Sequence, residues 1–381
     1  MTDSTNHTIT VPVKKKKLTK IIFYIMAFLL VTTTGLTAYS TYNMSVLKKQ
    51  LINNEHDSNN SNDISASTGS FSIPDNYTLI SNEQLESIKN DSYFLGRDNI
   101  LDSIKGMMTD GTTTLRMLRA LYPEYLIYAE TGGYIFKDIN KDLIMHDYDA
   151  KGFKITEDEY LVPTKVEYYE DDKLVSYTGI DVSKHNGKID WAKVKSAGID
   201  FAMIRAANRG YGAEGKLLTD DLFTQNAKAA NEQGIPIGAY IFSEAITVEE
   251  ALEEAELMLS LVAPYKITYP IVIDIEEISN GEGRNESLSP AELTDIVLAF
   301  CNRIKDAGYT PMLYCNLKGF IGMLEFERLE EIEKWYAYYG NELYFPYNVS
   351  MWQYSSTGTV DGISGKVDLN ISFKNYESEN D

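Results

Sequence analysis

Residues 269–277 read YPIVIDIEE. Residues 270–275 form an apolar, β-branched run of strand length, which reads as a buried strand. Two acids, Asp274 and Glu276, stand at its C-terminal end. On a strand, residues two apart share a face, with α-carbons about 6.6 Å apart. Both carboxylates therefore project together from an otherwise apolar element. Like charges held that close raise one pKa and keep one acid protonated near neutral pH. That is the state a general acid needs. In the bland reading one acid caps the following helix and the other is salt-bridged, and a lone Asp-x-Glu by itself fits this better. Glu277 reads as a solvated neighbour.

The surroundings of this strand repeat its pattern. Strand-like runs are expected at 178–182, 201–206, 236–242, 270–275 and 311–316, and amphipathic helices follow each of these five. Three more strands, at 335–338, 350–354 and 367–371, come with little helix between them. Several helices end in glycine just before the next strand, at Gly198, Gly234 and Gly308. Glycine supplies the left-handed C-cap there, and Pro236 and Pro311 block continuation of the helix. Helix starts carry capping patterns at Thr247–Glu250 and at Ser289-Pro290-Ala291-Glu292. The fold class is α/β: a TIM-like barrel of eight strands with incomplete helical wrapping. The rival, a doubly wound open sheet, lacks a phosphate-binding glycine loop after its first strand. Catalytic groups of an α/β barrel sit at the C-terminal ends of its strands. Asp181 ends the first strand, Asp274 and Glu276 the fourth, and Asp368 lies in the eighth.

Six ordered motifs add to this reading: GIDVSKHNGKIDW at 179–191, DFAMIRAANRGYG at 200–212, IPIGAYIFS at 235–243, YPIVIDIEE at 269–277, KWYAYYG at 334–340 and MWQYSSTGTVDGISGKVDLNIS at 351–372. Together they resemble the glycoside hydrolase family 25 lysozymes, over about residues 177–373. The resemblance implies an N,O-muramidase that hydrolyses the β-1,4 bond between N-acetylmuramic acid and N-acetylglucosamine, in a family usually described as retaining. It implies Glu276 as general acid and Asp274 as its partner, stabilising positive charge or the substrate's acetamido group. Asp181 and Asp368 match the other two acidic positions. Tyr240, Tyr338, Trp352 and Tyr354 are candidate stacking surfaces for sugars, and Gln353 and Arg205 candidate hydrogen-bonding groups. Each aromatic has core packing as its equal alternative. Ile241 stands where many relatives carry histidine, so one polar contact in the groove is expected to be missing, and Trp335-Tyr336-Ala337 fits the sixth-strand pattern loosely. A chitinase-like barrel wants Asp-x-Asp-x-Glu, and Val272 occupies the first of those positions. A catalytically silent wall-binding module is the other alternative, which the four retained acids oppose, since unpaired buried acids destabilise a fold.

The rest of the chain of 381 residues places this barrel, at 177–375, outside a membrane. A basic tail, 1–20, precedes the uncharged run IIFYIMAFLLVTTTGLTA at 21–38. At about 1.5 Å per residue the run just spans a hydrocarbon core of about 30 Å. It reads as a single transmembrane helix, 21–40, and the preceding lysines keep the N-terminus cytoplasmic. A cleaved signal peptide is the alternative. Residues 41–70, most polar over 53–70, read as a flexible linker. Residues 71–175 read as a small accessory α+β domain of unknown function: a capped helix from Ser81 with Leu85 and Ile88 on one side, a helix near 112–121, and strands at 126–129 and 134–136. Anchor, spacer and hydrolase in that order suggest a partner in a membrane-spanning secretion or conjugation machine, as well as peptidoglycan glycan strands and the cytoplasmic membrane. A net charge of −21, from 56 acidic and 35 basic residues, argues against nucleic acid. The four scattered histidines have no ligand spacing, so neither a metal nor another cofactor is expected. Cys301 and Cys315 read as small buried hydrophobes, with a disulfide between neighbouring elements as the alternative.

Overall fold

Alternation along the strands separates the molecule into an inner and an outer core. Phe201, Met203, Val272, Met312, Trp335 and Met351 pack into one buried cluster. Their strand neighbours Ala202, Ile204, Ile271, Ile273, Leu313 and Trp352 pack into another, together with helix residues such as Ala227, Ala255 and Val297. Successive residues of a strand face opposite ways, so the first cluster fills a barrel and the second joins the barrel to its surroundings. Burying each large side chain contributes about 1.5–3 kcal/mol.

The computed structural model describes residues 80–210, 212–278 and 283–377. The expected basic tail (1–20), transmembrane helix (21–40) and linker (41–70) lie outside the described residues. Among the described residues no helix is long and apolar enough to cross a membrane. The chain divides into two units, Met1–Asp91 and Ser92–Asp381. Of the first, only the residues from Ile80 are described; they open helix α1 (Asn82–Thr109) with reciprocal Ser81–Gln84 hydrogen bonds. Leu85 and Ile88 of α1 are exposed.

The second unit continues with helix α2 (Thr114–Leu121), hairpin β1 (Tyr125–Glu130) and β2 (Gly133–Asp138), and the small sheet β3 (Phe153–Glu157), β4 (Pro163–Glu170) and β5 (Lys173–Leu174). The barrel strands are β6 (Tyr177–Val182), β7 (Phe201–Arg209), β9 (Ile237–Phe242), β10 (Ile267–Asp274), β11 (Pro311–Asn316), β12 (Glu333–Ala337), β13 (Met351–Gly358) and β14 (Val367–Ser372). They close in the order β6-β7-β9-β10-β11-β12-β13-β14, with β14 pairing back to β6. All eight expected strands are present. An unexpected short strand, β8 (Leu217–Thr219), folds back antiparallel on β7.

Two features differ from the expected barrel. Helices follow the first four strands (α3 Trp191–Ser196, α4 Phe223–Glu232, α5 Val248–Val262, α6 Pro290–Asp306), but the fifth is followed only by a π-helical turn, Gly319–Met323, and a 3-10 turn, Phe326–Leu329. Phe320, Phe326 and Phe345 pack together there instead. Strand β14 also runs antiparallel to both neighbours. A parallel return needs a crossover of about a dozen residues or more, and the link from Gly358 to Val367 is shorter. The start of β14 therefore lies at the rim where the other strands end, and Asp368 pairs directly with Asp181.

The unwrapped side of the barrel is covered by residues 114–175. Leu126 and Val166 belong to the outer core, and Phe153 and Ile155 pack against it. Tyr148 stacks on Phe373 at 4.1 Å, and Phe153 meets Trp352 edge-on. Cys301 and Cys315 are free and buried, as small hydrophobes.

Two glycines record how full the lumen floor is. A Cβ on Gly179 would lie 2.2 Å from the Phe201 ring, and one on Gly238 2.5 Å from Met203 Cε. Gly179→Val is expected to lower the unfolding free energy by about 1–3 kcal/mol, the usual effect of overpacking. Urea titration followed by tryptophan fluorescence measures this; an unchanged midpoint would mean the floor has room to spare.

Candidate active site

Above the apolar floor the same inward-facing columns turn polar. A pocket of about 200 Å³ opens at the rim, lined by Asp181, Arg205, Tyr240, Phe242, Asp274, Glu276, Tyr314, Trp335, Tyr339, Gln353 and Asp368. Register explains the convergence. Asp274 pairs with Phe242 on one side and Tyr314 on the other, Arg205 with Tyr240, and Gln353 with Asn370. Strand β10 ends at Asp274, and Glu276 lies two residues beyond it on the same side of the pocket.

Gln353 is the hub. Its amide nitrogen donates to Asp181 Oδ2 at 2.8 Å and to Asp368 Oδ2 at 3.4 Å. Its amide oxygen accepts from the hydroxyls of Tyr314 at 2.8 Å and Tyr339 at 2.9 Å. Asp181 Oδ2 also accepts from Asn370 Nδ2 at 2.8 Å, and Asn370 is itself held by Trp335 Nε1 at 2.9 Å. Arg205 is fixed by Asp220 Oδ2, 2.9 Å from both Nε and Nη2. The chain after Glu276 is tied back by Arg284, whose guanidinium forks onto Glu250 while its N–H donates to Glu244. Asp274 Oδ1 is buried without a hydrogen-bond partner.

Burial sets the protonation of these acids. Desolvation raises the pKa of Asp274 well above the carboxylate range, and the neighbouring Glu276 and Asp181 push it further. Glu276 is raised, first by burial and also by the charge of Asp181, while the neighbouring Tyr314 hydroxyl lowers it. Asp181 is raised by burial, but the amides of Asn370 and Gln353 favour its charged form. Asp368 is pushed up to about 8 by burial, by the charge of Asp181 and by donating a hydrogen bond to it. The hydrogen bonds thus favour the charged form of Asp181 and the protonated form of Asp368. Two carboxyl groups this close cannot both ionise at neutral pH.

The pocket brings together Asp181, Asp274, Glu276, Asp368, Arg205, Tyr240 and Gln353. It does not include Tyr338, Trp352 or Tyr354. Of Trp352, Gln353 and Tyr354 on β13, only Gln353 faces inward. Trp352 and Tyr354, one residue to either side, are buried in the outer core, and Trp352 Nε1 donates to the Tyr338 carbonyl. Tyr338 packs against Tyr336 and Tyr344, on the side of residues 114–175. Ile241 also lies in the outer core, so its substitution for histidine removes no contact from the groove. Sequence reasoning passed over Tyr314, Trp335, Phe242, Tyr339 and Asn370. Strict alternation would have found Tyr314, one residue before the outward-facing Cys315; nothing local marks Tyr339. Among the described residues no group of three or more His, Cys, Asp or Glu is placed to hold a metal ion.

An eight-stranded barrel whose mouth gathers protonatable carboxylates between aromatic walls is the framework of a glycoside hydrolase. The family profile of glycosyl hydrolases family 25 matches residues 180–363, a segment containing Asp181, Asp274 and Glu276. The uncharacterized protein YegX of Escherichia coli O157:H7 is 34% identical over 224 residues, covering 54% of this chain and 72% of YegX. Lysozyme M1 of Streptomyces globisporus is 32% identical over 211 residues, or 50% of this chain and 66% of that protein. A bacterial lysozyme structure from Streptomyces coelicolor covers 51% of this chain and 90% of its own, with 29% identity and a TM-score of 0.42. The chain belongs to glycosyl hydrolases family 25.

The raised carboxyls have a consequence for stability. An acid whose folded pKa exceeds its unfolded value stabilises the fold fully below the unfolded pKa, and loses that contribution as pH rises through the folded one. For Asp368 the window runs from 3.8 to about 8. Thermal melts should therefore show the midpoint falling across this range, and Asp368→Asn should flatten the decline. A variant that tracks the wild type over the whole window would show that Asp368 is ionised throughout.

Proposed function

We propose that this chain is a muramidase, a peptidoglycan hydrolase that cleaves the β-1,4 bond between N-acetylmuramic acid and N-acetylglucosamine. The observation that carries this reading is Glu276, raised by burial and placed beside Asp274 at the mouth of a family 25 barrel. The likeness to Lysozyme M1 supports the choice of substrate.

In this reading the protonated Glu276 hands its proton to the glycosidic oxygen as the bond from that oxygen to the sugar's C1 breaks. The oxygen leaves as a hydroxyl on the departing sugar. Water then completes the reaction at C1 and returns a proton to the Glu276 carboxylate. The free Oδ1 of Asp274 is the buried polar atom left to meet the substrate's acetamido group. Asp181, the ionised member of its pair, supplies negative charge toward the positive charge that grows on the sugar ring. Tyr240, Trp335 and Tyr339 form the pocket's aromatic surface for a sugar. Val272 occupies the lumen floor where a chitinase-like site would want an acid.

The finer setting is also a proposal. The uncharged run at 21–38 behind its lysine cluster supports a single-pass membrane anchor with the N-terminus cytoplasmic and the hydrolase outside. An anchored wall hydrolase suits local wall opening for a membrane-spanning machine, such as a secretion or conjugation apparatus. If so, a truncated form lacking residues 1–40 should fail to restore a deletion strain; full rescue would remove the need for tethering.

The central test compares the wild type with Glu276→Gln on purified peptidoglycan, with released fragments read by mass spectrometry. Reducing ends on N-acetylmuramic acid, lost by at least about 100-fold in the variant, are expected from removal of a general acid. Reducing ends on N-acetylglucosamine would overturn the bond assignment. No release, with both proteins sedimenting with the wall, would favour a binding module.

A further inference from the structure

Residues 114–175 do more than cover the barrel. Their polar contacts gather on the connection between β12 and β13, residues 338–350, which contributes Tyr339 to the pocket lining. Arg119 is the centre of these contacts. Its Nη1 donates to the Tyr338 hydroxyl at 2.7 Å, and its Nε and Nη2 donate to the Ile127 carbonyl at 3.0 and 2.9 Å. Its guanidinium lies 3.8 Å from the centre of the Tyr344 ring. Further along, Arg116 donates to Asn341, and Asn341 donates to Glu157.

The contact reaches the pocket through the backbone of Tyr338. The N–H of Tyr338 donates to the Gln353 carbonyl at 3.0 Å, and the Tyr338 carbonyl accepts from Trp352 Nε1 at 2.8 Å. Tyr338 is thus fixed to β13 at the hub residue, with its side chain turned out to Arg119. The next side chain, Tyr339, turns the other way and donates to Gln353 Oε1. The residue is 56% exposed, so packing does little to place it, and its position follows from the backbone at Tyr338. A second tie joins the same region to the acid side of the pocket. Lys318 bridges Glu130 of β1 and Glu277, at 2.8 and 2.7 Å, and Glu277 directly follows Glu276.

We propose that Arg119 is a positioning residue for the hydrolase. From outside the barrel it holds Tyr338, and through it the Tyr339–Gln353 contact in the pocket. Residues 114–175 are then part of the catalytic apparatus rather than a spacer. This rests on the hydrolytic reading above, so the wild-type chain is assayed alongside every variant.

The test is a double-mutant cycle on the full-length protein, with initial rates on peptidoglycan resolved into kcat and KM. Arg119→Met and Tyr339→Phe should each lower kcat on the order of tenfold, as loss of placement does, with KM changed much less. The double variant should be no slower than the slower single. Arg119→Lys, which keeps a donor for Tyr338, should recover part of the rate. Tyr338→Phe, which removes only the hydroxyl that Arg119 grips, should reproduce the kcat loss with little change in melting temperature. Losses that multiply in the double variant, or a wild-type kcat in Tyr338→Phe, would overturn the coupling. So would an Arg119→Met protein that loses melting temperature but no kcat. An inactive wild type would instead overturn the hydrolytic reading and this inference with it.

Discussion

The Gln353 side chain carries two N–H donors and one carbonyl oxygen, and the barrel mouth uses both ends. Tyr314 and Tyr339 donate to the oxygen, which compels the nitrogen to face Asp181 and Asp368. A buried amide left unsatisfied destabilises by about 1–3 kcal/mol, so the amide has one favourable orientation. That orientation gives Asp181 the closer amide donor. Asp181 collects two amide donors that favour its charged form; Asp368 receives one long bond, and burial beside Asp181 pushes its pKa up to about 8. The charge of Asp181 in turn pushes the pKa values of Asp274 and Glu276 upward.

The barrel makes this arrangement affordable by dividing its lumen. The floor is apolar, filled by Phe201, Met203, Val272, Met312 and Met351, with Gly179 and Gly238 leaving room. Only the top layer is polar, so a few side chains satisfy one another while the rest of the interior holds them rigid. The antiparallel eighth strand is part of this economy: it sets Asp368 against Asp181 in register, the closest relation two strands allow. Around the rim, partly buried ion pairs such as Arg205–Asp220 and Arg284–Glu250 fix the connections between strands and helices. Residues 114–175 fix the remaining side.

Much of this was legible in the sequence. Glycine and proline at helix ends marked the strands, and acids at strand ends marked Asp181, Asp274 and Glu276, because these signals are local. Direction was less legible: the placement of Asp368 depends on the short link before β14. Trp352 and Tyr354 were drawn toward the site with Gln353, although period-two alternation lets only one parity face inward. Aromatic character attracted attention there, and geometry overrode it. Tyr339 and Arg119 were invisible because their roles depend on partners far along the chain, across the β12–β13 connection and residues 114–175. Such pairings leave no periodic trace.

The chemistry of the site depends on a proton retained in the carboxylate cluster at neutral pH. Infrared spectroscopy of the carboxyl groups, with Asp368→Asn as the difference reference, reads it directly. A protonated-carboxyl band in the wild-type-minus-variant spectrum at pH 7, titrating near 8, is the expected result. A spectrum with only ionised carboxylates at pH 7, the same in both proteins, would contradict it.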